Sequence, residues 1–295
     1  MQNSSTYDTK APATPGTFPP QHQNTQPGSQ KSMNPKPIVD NPQYRGAGKM
    51  AGRIAVITGG DSGIGQAVAV AFAKEGADVA VLFLNENQDA KETQSLVEGL
   101  GRRCLLVPCD IKSEQAAIGA VDRVVRAFGR VDVLVNNAAV QYPQNSIEDI
   151  TTEQLGVTFN TNVMGYFFMA KACLRHMGAG GQIINTTSVT AYAGDKTLID
   201  YSATKGAIAS FTKSLSLSLA QRGIRVNAVA PGPVWTPLIP SSFSPQEVEQ
   251  FGKDTPLGRA AQPYELAPTY VYLACDDSAY VTGQVLHVNG GKIYS

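Results

Sequence analysis

The sequence predicts an α/β fold: a single domain with a doubly wound parallel sheet of about seven strands and helices on both faces. Three observations lead there. Short apolar runs alternate with longer helix-like segments from residue 53 onward. Several runs, such as Ile54-Ala55-Val56-Ile57 and Val79-Ala80-Val81-Leu82, are continuously apolar, as strands buried on both sides tend to be. Glycines cluster at the first junction between a run and a helix, in Thr58-Gly59-Gly60-Asp61-Ser62-Gly63-Ile64-Gly65.

The elements follow from run length and period. Residues 53–58 form the first strand, and a helix follows to about residue 75. Strand 78–84 precedes helix 88–100, and strand 103–108 precedes helix 113–128. A fourth strand covers 131–136. A long helix is expected over 152–176, then strand 181–187. Helix 201–222 leads to strand 225–230. Helix 266–275 and strand 284–288 complete the set. Residues 233–262 form the one long irregular insert, with room for short helices. The domain runs from 46 to 295.

Residues 1–45 differ from the rest. They hold eight of the chain's 18 prolines, with many Gln, Asn, Ser and Thr. So little apolar surface poorly offsets the entropy of ordering, so an extended or disordered tail is expected. Its later part can pack along the domain through Pro42, Tyr44 and Arg45.

Composition excludes several functions. Lys+Arg and Asp+Glu both total 24 among 295 residues, so no basic excess points to nucleic acid or an anionic membrane. No apolar run reaches spanning length, and the N-terminus, with no basic patch before an apolar stretch, does not read as a secretory signal. A soluble cytoplasmic protein is the expectation. Cys104, Cys109, Cys173 and Cys275 are scattered among apolar neighbours and read as buried free thiols. His22, His176 and His287 lack ligand spacing, so no metal is expected.

The glycine cluster follows a strand and opens a helix, the context in which such a motif holds a dinucleotide. Glycines permit the tight turn and the close approach of backbone to a pyrophosphate. The helix start adds free N–H groups and the positive end of the dipole.

Tyr201 and Lys205 are four residues apart on a predicted helix and share one face. An ammonium beside a phenol favours the phenolate, making Tyr201 a proton donor or acceptor. Ser188 stands thirteen residues earlier, at a strand end. Each feature alone has an ordinary reading: a turn, a chance pair on a helix surface, a local cap.

Together, Thr58-Gly59-x-x-x-Gly63-Ile64-Gly65, Asn136-Asn137-Ala138-Ala139, the Ser188/Tyr201/Lys205 set and Pro231-Gly232 resemble the short-chain dehydrogenase/reductase family over roughly residues 49–291. The extended N-terminus resembles the glucose/ribitol dehydrogenase-like and general-stress oxidoreductase subgroup. The resemblance implies a Rossmann-type fold and an NAD(P)-dependent oxidoreductase, of alcohol dehydrogenase or carbonyl reductase type. It implies Tyr201 as general acid/base, Lys205 bonding the nicotinamide ribose and lowering the Tyr201 pKa, and Ser188 donating to the substrate oxygen. Asn162, rather than Asn160, would hold a relay water through its backbone carbonyl. Asp110 would meet the adenine, with Ile111 beside it, although Asp110 also reads as a helix cap. Asn136 would stabilise the central strand, and Ala138, Val234 and Thr236 would lie near the nicotinamide, after Pro231 and Gly232.

Around the second strand the chain reads Leu84-Asn85-Glu86, with no basic residue to take a 2′-phosphate. The glycine loop carries Asp61 and Ser62, and many NADP-preferring relatives have a basic residue near Asp61. Asn85 or Glu86 would take the ribose hydroxyls. NAD is therefore favoured, with NADP as the alternative. Trp235, Pro237, Leu238, Ile239 and Phe243 form an apolar loop that either covers substrate or meets a neighbouring subunit. Gln141, Tyr142, Tyr192 and Asp195 are candidate pocket residues. The substrate is a small alcohol, aldehyde, ketone or sugar. The resemblance implies a homotetramer built on helices 152–176 and 201–222, with the end Lys292-Ile293-Tyr294-Ser295 in a second interface. Competing readings are a redox-silent dinucleotide sensor, a stress protein acting through the tail, and an epimerase or dehydratase on the same scaffold.

Overall fold

The computed structural model describes residues 15–292; residues 1–14 of the tail and 293–295 of the expected second interface lie outside them. Along the chain the elements are β1 (Ile54–Thr58), α1 (Gly63–Lys74), β2 (Asp78–Phe83), α2 (Asn87–Gly99), β3 (Cys104–Pro108), α3 (Glu114–Phe128) and β4 (Val133–Asn136). Then come α4 (Thr152–Phe159), a π-helical turn (Asn160–Met164), α5 (Gly165–Cys173), β5 (Gln182–Thr186), α6 (Thr190–Ala193) and α7 (Ile199–Leu219). The last are β6 (Arg225–Pro231), α8 (Pro245–Gln250), α9 (Pro263–Ala274) and β7 (Val285–Val288).

The strands form one seven-stranded sheet in the order β3-β2-β1-β4-β5-β6-β7. Every pairing is parallel. All residues of β1 and β2 are buried, which explains their unbroken apolar runs. One face packs Phe72 of α1, Val97 of α2 and Tyr270 of α9 into a core. The other packs Val121 of α3, Met169 and Cys173 of α5, and Leu219 of α7. The strand order reverses between β1 and β4. The crevice at the carboxyl ends there is where ligands bind in such sheets.

Three helices differ from expectation. The helix expected over 152–176 widens into the π-turn at its middle and ends at Cys173. Asn162 is the buried residue of that turn, and such turns are frequent at functional sites. The helix expected at 201 starts two residues earlier, and its last turn tightens to 3-10 before Gly223, whose φ is 66°. The helix expected at 266 starts at Pro263, because Gln262 and Glu265 form a reciprocal capping box around a proline at the first position.

Residues 15–45 lie against the domain with a single 3-10 turn, Gln30–Ser32. Phe18, Gln30 and Met33 are buried. Of the three expected anchors only Tyr44 serves, through a hydrogen bond to Glu75; Pro42 and Arg45 are exposed. The Phe18 ring stacks on Trp235 with centroids 3.8 Å apart and planes 6° from parallel. Both rings join Met33, Ile239, Val248 and Ala260 in a third apolar cluster. All four cysteines are free and buried.

Candidate active site

A cleft of about 630 Å³ opens at the carboxyl ends of the strands. Its size falls in the range of about 300–1,000 Å³ usual for ligand sites. At one end is the glycine turn between β1 and α1. Gly59 has φ 61° and Gly63 has φ 51°, conformations that favour glycine. A Cβ on Gly65 would stand 1.9 Å from the Gly59 carbonyl oxygen, so the first helical turn closes onto the strand end only with glycine there. Asn137 and Thr58 lock the turn. Thr58 Oγ1 accepts the N–H groups of Asn137 at 2.9 Å and Ala138 at 3.1 Å, while the Asn137 amide donates to the carbonyls of Thr58 and Gly59 at 3.2 Å. Both residues stand in motifs legible in the sequence, Thr58 before the glycines and Asn137 after Asn136, but the lock they form across 79 residues is set by the fold.

Gly59, Asp61, Ser62, Gly63 and Ile64 line the cleft, whereas Gly65 supports them from behind. Ser62 precedes α1 without capping it. The Gly63 N–H donates to the Gln30 side chain at 2.8 Å, and the Ile64 N–H has no acceptor among the described residues. Asp61 is buried, and burial pushes its carboxyl up to about 7, with the Glu86 charge adding to the rise. Glu86 reaches the cleft; Asn85 does not.

Asp110 and Ile111 line the next stretch. Asp110 is not the helix cap, since Ser113 caps α3 by accepting the Ala116 N–H. The Asp110 carboxylate instead accepts the Lys112 N–H at 3.0 Å. Ala138 also lines the cleft. Asn136 is buried behind it, donating to Asn185 at 3.0 Å and so tying β4 to β5.

Ser188, Tyr201 and Lys205 meet in the same cleft. Helix α7 carries Tyr201 and Lys205, and Ser188 follows β5. Thr190 donates to Ser188 Oγ twice, from N–H and hydroxyl, each at 3.1 Å. Ser188 is the acceptor in both bonds, so its own hydrogen remains to be donated. Lys205 Nζ donates to the Thr186 carbonyl at 2.9 Å and lies 5.4 Å from the centroid of the Tyr201 ring. Burial pushes the Lys205 ammonium down to about 7. Burial also pushes the Tyr201 phenol up to about 12, against the pull of a hydrogen bond with Ser188. This is opposite in direction to the expected depression of Tyr201: in the cleft as it stands, desolvation outweighs the Ser188 hydrogen bond.

Asn162 is buried below this group. Its side chain accepts the Val140 N–H and donates to the Val140 carbonyl, both at 2.9 Å, and reaches Thr204 Oγ1 at 3.2 Å. Asn160, its rival by sequence, is exposed. The side chain of Asn162 thus clamps the cleft wall, a role separate from that expected of its carbonyl.

Pro231, Gly232, Val234 and Thr236 line the far side. A Cβ on Gly63 would come within 2.9 Å of Thr236 Cγ2, so the 233–262 loop starts against the glycine turn. Pro237, Leu238, Ile239 and Phe243 line the cleft, as do Gln141, Tyr142 and Asp195. Trp235 does not: it is fully buried under Phe18, and its Nε1 donates to the Pro35 carbonyl at 2.8 Å. Tyr192 also turns away, its ring 4.6 Å from that of His287. Among the described residues no cluster of three or more metal-ligating side chains occurs, and no helix is long and apolar enough to cross a membrane.

A glycine turn with an open helix-start amide, an acid at the end of β3 and a buried amine beside a phenol fit a dinucleotide laid along the cleft. Residues 59–292 match a family model described as Enoyl-(Acyl carrier protein) reductase. The chain belongs to the short-chain dehydrogenase/reductase family. Within it, the chain is 57% identical to the uncharacterized oxidoreductase YhdF of Bacillus subtilis (strain 168), covering 94% of this chain and 96% of that one. It is 52% identical to glucose and ribitol dehydrogenase of Daucus carota, covering 95% and 99%. It is 49% identical to the chloroplastic NADPH-dependent aldehyde reductase 1 of Arabidopsis thaliana, covering 92% and 97%. A short-chain dehydrogenase from Burkholderia cenocepacia J2315 in complex with NADP superposes with TM-score 0.78 at 31% identity, covering 82% of this chain and 98% of that one. One from Mycobacterium paratuberculosis bound to NAD gives 0.76 at 32%, with the same coverage.

Proposed function

We propose that this chain interconverts an alcohol and its aldehyde or ketone, with Tyr201 as general acid and base. The observation that carries this reading is the meeting of Ser188, Tyr201 and Lys205 in one cleft with the glycine turn. A nicotinamide dinucleotide, when bound, supplies or accepts the hydride. Gly59, Asp61, Ser62, Gly63 and Ile64 would hold its phosphate end, with Gly65 shaping the turn. Asp110 and Ile111 would meet the adenine, and Glu86 with Asn85 the adjoining ribose. Ala138, Lys205, Pro231, Gly232, Val234 and Thr236 would border the nicotinamide end.

The protein's own groups handle the proton. Ser188 donates to the substrate oxygen and stabilises charge that develops there. Tyr201 is neutral near pH 7 and delivers its proton to that oxygen in reduction. In oxidation it must first lose that proton. Thr186 holds Lys205 in place through its carbonyl, and Asn162 holds the Val140 wall.

NAD is the preferred cofactor in this reading. Asp61 and Glu86 line the cleft where a 2′-phosphate needs a cation, and no basic residue of the glycine turn or the end of β2 lines it. The substrate is a small aldehyde, ketone, sugar or polyol. Exposed Leu155, Met164 and Phe167 along α4–α5 and Leu217 on α7 support pairing of these helices in a homotetramer.

The test is turnover of aldehydes, ketones, sugars and polyols with each nicotinamide cofactor, beside Tyr201→Phe. Activity with NAD exceeding that with NADP, and lost in Tyr201→Phe while cofactor binding persists, is the expected result. Full turnover in Tyr201→Phe refutes the role of Tyr201. Failure of wild type to bind either dinucleotide refutes the assignment.

A further inference from the structure

The segment before the domain reaches into the cleft. Gln26, Pro27 and Gly28 line the same space as Ser188 and Tyr201. The Gln26 side chain pairs with the Gln141 backbone in both directions: its nitrogen donates to the Gln141 carbonyl, and its oxygen accepts the Gln141 N–H at 3.2 Å. The same nitrogen reaches Ser242 Oγ at 3.1 Å. One amide fork therefore joins the wall after β4 to the 233–262 loop. Gly28 sits so close to that loop that a Cβ would stand 2.6 Å from the Pro237 carbonyl oxygen.

A few residues on, the segment grips the glycine turn. Gln30 is buried, its side-chain oxygen accepts the Gly63 N–H at 2.8 Å, and its nitrogen donates to Gln66. Its own N–H donates to the Asp89 carboxylate at 2.7 Å, which fixes the backbone from which that side chain extends. The segment thus makes separate contacts to the two ends of the cleft.

We infer that residues 18–33 are a built-in wall of the active site, in which Gln26 positions the substrate loop and Gln141 and helps set specificity, while Gln30 positions the glycine turn. What the cleft takes rests on the oxidoreductase reading; the contacts do not. Gln26 acts through Gln141 and the loop, so its loss alters substrate fit more than dinucleotide affinity. Gln30 acts through Gly63, so its loss does the reverse.

The experiment uses the full chain with Gln26→Ala, Gln30→Ala and the near-isosteric Gln26→Glu, which keeps the acceptor and loses the donor. NAD and NADP affinities come from fluorescence titration, and KM and kcat from glucose, ribitol and propanal. Hydrogen exchange across 236–243 needs no substrate. Gln26→Ala should speed exchange there about tenfold, as loss of one or two hydrogen bonds implies, with Gln26→Glu between it and wild type. It should raise KM about tenfold with kcat and dinucleotide Kd within about twofold. Gln30→Ala should instead weaken dinucleotide binding about tenfold. Exchange at 236–243 unchanged in Gln26→Ala, or accelerated equally throughout the chain, overturns the inference. Wild type that binds neither dinucleotide sinks the oxidoreductase reading instead, and the exchange result still judges the wall.

Discussion

The Lys205 ammonium donates to the carbonyl oxygen of Thr186 at 2.9 Å, joining helix α7 to the end of strand β5, next to the central strand β4. The chain just after β5 returns the contact: Thr187 Oγ1 donates to the Lys205 carbonyl of α7 at 2.7 Å. The lysine is 1% exposed, and burial lowers its pKa to about 7.

That burial has a pH signature in stability. Between about 7 and the ordinary lysine value near 10.5, the unfolded chain binds a proton that the folded chain does not. Stability therefore rises with pH across this window, by up to about 1.4 kcal/mol per unit from this group. Lys205→Met removes that dependence. Chemical denaturation at pH 7 and pH 10 should show wild type gaining on the variant.

Tyr201→Phe keeps the ring and removes the proton. Turnover should fall by about 10²–10⁴-fold with dinucleotide affinity within a few-fold of wild type. Because burial lifts the phenol to about 12, wild-type oxidation should climb through the alkaline range while reduction proceeds at neutral pH. Steady-state rates in both directions across pH 6–10, read against roughly one decade per pH unit for a required deprotonation, check this.

Asp61 titrates in the opposite sense to Lys205. Its folded pKa of about 7 lies above the ordinary 3.8, so the folded chain holds a proton that the unfolded chain has lost. Stability from this group is fully present below about 4 and declines as pH rises to about 7. Asp61→Asn should therefore be relatively more stable at pH 8 than at pH 5. Replacing the acid should also improve NADP affinity relative to NAD, measured by titration of both.

Gly65→Ala tests the turn. A Cβ 1.9 Å from the Gly59 oxygen meets backbone and cannot be relieved by a rotamer change. A loss of at least about 1–3 kcal/mol in unfolding free energy is expected, with dinucleotide binding weakened or abolished. Gly99→Ala, where a Cβ meets nothing within 4 Å, is the control.

Much of the fold was legible because buried parallel strands carry a composition of their own. Ile54–Thr58 and Asp78–Phe83 announced themselves by unbroken apolar runs, and the Gly59–Gly65 cluster marked the turn between strand and helix. The capping box at Gln262 and Glu265 is local too, three residues apart around Pro263, and sets the start of α9 ahead of its apolar period. The π-turn at Asn160–Met164 was not readable, since its extra residue answers to Val140 and Thr204 across the fold rather than to neighbours in sequence.

The sequence by itself determined the seven strands, the glycine turn and the spacing that puts Tyr201 and Lys205 on one helix face, because these follow from local period and chain geometry. Tertiary structure alone decided the protonation balance and the walls. Whether Lys205 lowers Tyr201 depends on how deeply both are desolvated, which spacing does not encode. Whether the proline-rich segment is a loose tail or a wall depends on partners more than one hundred residues away: Trp235 for Phe18 and Gln141 for Gln26. Composition counts how little such a segment can bury, while the fold supplies the aromatic ring and the backbone groups that a few well-placed residues need to hold it.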